Sequence, residues 1–151
     1  MADVDEFLAA VLPPLTAADT AIHDGDAGPR IALWTRNEPV TLFGALRSNT
    51  GWPEIRSTFE WLAERFSNCQ SFEYEVIAAG ASGDLGYIAG IEHTTAAVGD
   101  AAPQAYTLRV TTVFRREDGE WKVVHRHADP VPESERTRVQ LGRLGGARRD
   151  P

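Results

Sequence analysis

The sequence predicts an α+β domain whose helices cover one face of an antiparallel sheet. Three observations predict it: apolar residues recur every three or four positions from Val4 to Ile22, the same spacing returns from Ile55 to Phe66, and four alternating segments then follow with only short turns between them. Helices first and consecutive strands after, with no crossover helix among the strands, make hairpins the simplest connections. A chain of 151 residues has the size of a single domain, enough for one core and one pocket.

The first helix is carried by Val4, Phe7, Leu8, Val11, Leu12, Leu15, Ala18 and Ile22, which form one stripe. Pro13 and Pro14 interrupt it; prolines remove backbone donors and crowd the preceding turn, so a kink or two short helices in line are expected. Asp24-Gly25-Asp26 terminates it. Ile31–Trp34 reads as a short helical turn, and Val40–Gly44 as a short strand led by Pro39. Pro53 and Glu54 suit the first turn of a second helix, whose stripe is Ile55, Phe59, Leu62 and Phe66. The strands are Ser71–Ala79, Leu85–Ala97, Ala105–Arg116 and Glu120–Ala128, the last two joined at Asp118-Gly119. The domain is therefore set at residues 1–129. Residues 130–151, rich in arginine and poor in large apolar side chains, read as a mobile C-terminal tail.

Composition excludes several classes of function. A formal net charge of −7 argues against nucleic acid as the partner, because phosphate binding needs a concentrated basic face. No apolar run is long enough to span a membrane, and no secretory apolar segment follows Met1. The lone Cys69 cannot form an internal disulfide, which suits a reducing cytoplasm. Gly-rich phosphate loops and a nucleophile elbow are absent, so nucleotide hydrolysis and serine-hydrolase chemistry lack support; no cofactor is expected.

Arg109, His125 and His127 stand in strand rows that are otherwise apolar or small. Residues directly opposite in an antiparallel pair share a face. Pairing Arg116 with Glu120 across the turn sets Thr111 opposite His125 and Arg109 opposite His127, and pairing Ala96 with Ala105 sets Glu92 opposite Arg109. The expectation is one row, Glu92–Arg109–His127, spanning about 10 Å at the usual strand spacing. In that row Arg109 would bind a ligand anion and stabilise charge, Glu92 would orient it, and His127, kept neutral by the cation, would be the general base. A one-residue slip in either hairpin dissolves the row, and the same residues also fit a structural ion-pair network at a subunit face. His125-x-His127 with Glu92 or Asp129 has the makings of a metal triad, but Arg109 in its midst repels a cation, so no metal is expected. His23 and His93 read as structural. Trp34, Phe43, Trp52, Phe59 and Tyr87 are the expected apolar walls of a ligand pocket, with Thr111, His125 and Asp129 as its polar lining.

The early Val40-Thr41-Leu42-Phe43-Gly44, and the late Arg109-x-Thr111-x-x-Phe114-Arg115-Arg116-x-Asp118-Gly119-x-Trp121-x-x-Val124-His125-x-His127, resemble the SnoaL-like branch of the nuclear transport factor 2-like superfamily over about residues 3–129. The resemblance implies a cystatin-like α+β conical barrel, with a curved sheet wrapped around the N-terminal helices. It also implies a homodimer packed through the sheet and a small-molecule cavity lying over Arg109 and His127. Ketosteroid isomerases of the superfamily use a carboxylate base with tyrosine and protonated-acid donors; here Thr41 and Thr111 stand at the carboxylate positions, and the first helix has no tyrosine. Epoxide-hydrolase-like members pair two carboxylates with an arginine, echoed by Glu92, Arg109 and Asp129. Cyclases place an acid–base residue in an apolar cavity, as His127 would. Kinase association domains share the ending Asp-Gly-x-Trp-x-x-Val-His-x-His and assemble subunits. The expected function is thus a small-molecule-binding cone, with acid–base chemistry of isomerase, cyclase or hydratase type on a ligand carbonyl or carboxylate. The alternative is a binding or self-association module without turnover.

Overall fold

In the computed structural model, residues 3–135 are described. Helix α1 (Val4–Ile22) starts where the Asp3 side chain accepts the Asp5 N–H at 3.0 Å. It buries Phe7, Val11, Leu15, Ala18 and Ile22, the predicted stripe. It runs through Pro13 and Pro14 as one helix instead of breaking into two. The prolines and the Ala9 and Ala10 carbonyls they leave unbonded all lie on the exposed side, where water can take the place of the lost bonds. The chain leaves through Gly25 at φ 91°, and α2 (Gly28–Leu33) folds back against α1.

Two short strands, β1 (Thr41–Phe43) and β2 (Ser48–Thr50), form a hairpin before α3 (Trp52–Arg65). The second of these was not expected from sequence. Gly51 at φ 87° makes the turn into α3, Pro53 occupies its first turn, and the Glu54 carboxylate accepts the Thr50 N–H at 3.3 Å. Strands β3 (Phe66–Ser82), β4 (Leu85–Val98), β5 (Gln104–Glu117) and β6 (Glu120–Pro130) follow, and the sheet order is β2-β1-β6-β5-β4-β3. All neighbours are antiparallel except β1 and β6. The curved sheet and the helices make an α+β cone.

The core lies between α1, α3 and the concave face: Phe7, Val11, Ile22, Trp34, Leu42, Ile55, Phe59, Ile88, Phe114 and Val123 are all buried. Phe59, fully buried beneath Trp34 and Trp52, contributes about 2 kcal/mol by removal from water. β6 continues through Pro130, and Val131 is buried, so packed chain extends just beyond residue 129. The rest of the expected tail, 136–151, lies outside the described residues.

The register differs from expectation at both hairpins. Glu92 faces Leu108 and Ile91 faces Arg109, a slip of one residue. The Asp118-Gly119 turn pairs Glu117 with Glu120, and farther along β6 Val113 faces His125 while Phe114 faces Val123. Val124 is thereby left over as a bulge residue, and the inward parity of β6 changes there. On the far side of the bulge Arg126 and Ala128 point in and His125 and His127 point out.

Candidate functional site

A cavity of about 670 Å³ opens between the C-terminal ends of α1 and α3, the β1–β2 hairpin and the wide end of the sheet. That is the size range of small-molecule sites. Its walls include Ile22, Leu42, Trp61, Leu62, Leu108 and Val131, and its polar lining includes His23, Arg30, Tyr106 and Arg126. His23, Arg30 and Arg126 are among the buried polar residues and form its floor.

The floor is built from neighbouring positions of different elements. Asp19 and His23 sit one turn apart on α1, and α2 returns beside them to bring Arg30 onto the Asp19 carboxylate. Glu92 of β4 and Arg126 of β6 reach across β5 to form a two-point pair of 2.6 and 2.9 Å. Burial alone would raise the Glu92 carboxyl; the Arg126 charge and hydrogen bonds, with Arg30 and His23 behind them, hold it below the usual range instead. Burial likewise opposes the Arg126 charge, and Glu92 more than restores it. Arg30 is lowered to about 9 by burial and by Arg126, and stays cationic at neutral pH. Two arginines and two carboxylates thus close the charge of the floor to zero.

His23 has a fixed tautomer. Its Nδ1 lies 2.6 Å from the Asp19 backbone carbonyl, which can only accept, so Nδ1 carries the proton and Nε2 accepts the Tyr106 hydroxyl. Burial lowers His23 to about 4, with Glu92 opposing and Arg126 assisting. Tyr106 is pushed up to about 12 by burial and by Glu92. At neutral pH the pair is an uncharged imidazole and an intact phenol.

The expected row Glu92–Arg109–His127 is not formed. Glu92 turns inward and is 2% exposed, whereas Arg109 and His127 lie on the outer face of the sheet, 48% and 51% exposed at their side chains. The nearest charged partners there are Glu135, 3.9 Å from Arg109, and Asp129, 3.2 Å from His127. Thr111 and Asp129 are on the same outer face, and His125 bonds to Thr41 across 2.7 Å. Phe43 sets its edge against both imidazoles, and Tyr87 is likewise exposed. Trp34 and Phe59 are core, and Trp52 packs on Phe59 under Arg36. None of the expected pocket residues lines the cavity, and Glu92 acts on it from behind, through its pair with Arg126 and through its charge on His23 and Tyr106.

The residues that do form the floor gave weak signals. Arg126 hides between two histidines, and only its step with Ala128 marks it as inward-facing. His23, read as a structural residue of a helix end, is brought to the cavity by Tyr106. Among the described residues, no cluster of three or more His, Cys, Asp or Glu is placed to hold a metal, and no helix is long and apolar enough to cross a membrane.

The family model of the SnoaL-like domain matches residues 14–132. Curated proteins give no match. Among solved structures, the chain is similar to a candidate dehydratase of the NTF2-like family from Streptomyces avermitilis, with TM-score 0.67 and 21% identity over 84% of this chain and 97% of that one. A ketosteroid isomerase-like protein from Erwinia carotovora atroseptica gives TM-score 0.68 and 18% identity over 83% and 97%. A protein with a cystatin-like fold from Caulobacter vibrioides gives TM-score 0.68 and 14% identity over 94% and 99%. At these identities the likeness is one of fold.

Proposed function

Since the chain belongs to the SnoaL-like family, whose model spans residues 14–132, we propose that its cone binds a small, largely apolar molecule and holds a neutral carbonyl of that molecule against the buried floor. The observation that carries this reading is the charge-closed floor of Asp19–Arg30 and Glu92–Arg126 under apolar walls. A buried carboxylate of the ligand would add an uncompensated charge there, whereas a carbonyl needs only the arginine N–H groups that the pairs leave over.

His23 and Tyr106 favour acid–base chemistry on the bound carbonyl as the second reading. A neutral imidazole with Nε2 committed to a phenol is a proton acceptor one hydrogen bond from the cavity wall, and Arg126 beside it would stabilise a developing oxyanion. This places the proton-transfer role on His23 and Tyr106, and the electrostatic role on Arg126.

The outer face supports homodimer formation. Its rows run Thr41–His125–Val113–Tyr87 and Phe43–His127–Thr111–Ala89, with Phe43 42% and Tyr87 43% exposed. Large aromatic side chains beside uncharged polar groups are what subunit interfaces use.

Calorimetry with decan-2-one against the wild type and a Glu92→Leu/Arg126→Met double variant tests the binding reading. Binding by the wild type and its loss in the double variant are expected; equal binding by both would sink the proposal.

A further inference from the structure

The cavity wall has a charge pattern that the floor does not use. Three arginines line it, Arg30, Arg47 and Arg126, and no aspartate or glutamate does, in a chain of net charge −7. Arg30 and Arg126 are matched from behind by Asp19 and Glu92. Arg47, at the end of the β1–β2 turn, has no carboxylate partner among the described residues.

Its position is nonetheless held. The Gly44 N–H donates to the Arg47 carbonyl at 2.8 Å and closes the turn. The guanidinium lies 3.8 Å from the centre of the Trp61 ring, and Trp61 also lines the cavity. A cation over an aromatic ring engages the ring face and leaves its N–H donors free, and the fork of donors suits a carboxylate. Apolar side chains exposed at the cavity stand with it: Leu46 is 71% and Val98 53% exposed, and both line the cavity.

We propose that Arg47 is the specificity-determining cation of the cavity mouth, and that the ligand is an oxo acid: an apolar chain or skeleton with a neutral carbonyl at the floor and a carboxylate at Arg47. This rests on the reading of the cavity as a carbonyl-binding site and adds the second end of the ligand. The floor is closed to a further charge, so an anionic group is accommodated only where a cation stands unpaired and solvent is near. The carboxylate keeps part of its hydration at the mouth, which makes its burial inexpensive there and prohibitive at the floor.

Two probes of equal chain length separate the ends: decan-2-one and 9-oxodecanoate, titrated by calorimetry near neutral pH into wild type, Arg47→Met and Arg47→Lys. Wild type should prefer the oxo acid by about tenfold, and the preference should shrink as salt rises from about 0.05 to 0.5 M. Arg47→Met should bring the ratio to about one, and Arg47→Lys, which keeps the charge and loses the stacked fork of donors, should keep only part of it. The ratio is internal to each variant, so a general loss of stability does not mimic the effect. Ketone binding without a preference in wild type, or a preference that survives Arg47→Met, overturns the assignment of Arg47 and leaves the floor reading intact. Failure of both probes to bind overturns the two together.

Discussion

Glu92 and Arg126 lie 34 positions apart in sequence and meet in a two-point hydrogen-bonded pair inside the cone. Each is buried, and each supports the other's charged form against burial. Arg126→Met alone strands the Glu92 carboxylate and should cost about 3–5 kcal/mol of stability in urea denaturation, whereas Glu92→Leu/Arg126→Met replaces the pair by apolar volume and should cost little or nothing. Equal losses in the two variants would show that the pair is not coupled as described.

Gly90 marks another close approach, on β4 where β3 bulges between Val76 and Ala78. A Cβ at Gly90 would lie 2.2 Å from the Glu75 carbonyl oxygen and 2.7 Å from the Tyr74 ring. The first obstacle is backbone, which cannot swing aside. Gly90→Ala should therefore destabilise by about 1–3 kcal/mol, the range for overpacking. Wild-type stability in this variant would mean that β3 and β4 are farther apart.

The helices and the hairpins of β3 to β6 were legible in the sequence because local chemistry fixes them: the 3.6-residue stripes of α1 and α3, and Asp118-Gly119, whose φ values of 51° and 81° suit the turn; the β1–β2 hairpin was not. Which side chains enter the cone was less legible. In β5 the even row, Tyr106, Leu108, Val110 and Phe114, is more apolar than the odd row with Arg109 and Thr111, and it does face inward. In β6 the extra residue, Val124, is as apolar as its neighbours and leaves no trace in the pattern, yet it alone decides that Arg126 faces the cavity and His127 faces outward. His127 was misplaced by that single residue, whereas Arg109 was misplaced by its own strand, whose odd row faces outward, and by the one-residue slip between β4 and β5. The α1 contribution of Asp19 and His23 depends on tertiary partners, Arg30 and Tyr106, that no local spacing reveals.

Phe43 tests the outer face. It packs edge-on against His125 and His127 and is 42% exposed. If two cones join through this face, Phe43→Glu places a charge in the joint and should convert a dimer to a monomer in light scattering, with the melting temperature of the dilute protein changed little. An unchanged dimer would move the interface elsewhere; a monomeric wild type would remove the proposal of a dimer.

His23 gives the cone a defined pH response. Its folded-state value of about 4 lies below the usual 6.5 because burial disfavours the imidazolium. Between these values the unfolded chain takes up a proton that the folded chain refuses, so the contribution of His23 to stability is complete above about pH 6.5 and is lost as pH falls toward 4. The full effect is about 3 kcal/mol, from a shift of that size at 1.36 kcal/mol per unit. Glu92, held below the usual carboxylate range, acts in a more acidic window, whereas His125, lowered by burial and by His127, acts in the same one, so the comparison with a His23 variant isolates His23. Urea denaturation across the interval just below about pH 6.5 should show wild-type stability falling with pH, while His23→Asn, weaker at the start, should give a flatter line. Parallel lines for the two proteins would mean that His23 takes up its proton as readily in the folded chain as in the unfolded one, and the charged imidazole so formed could not accept the Tyr106 hydroxyl on which the acid–base reading depends.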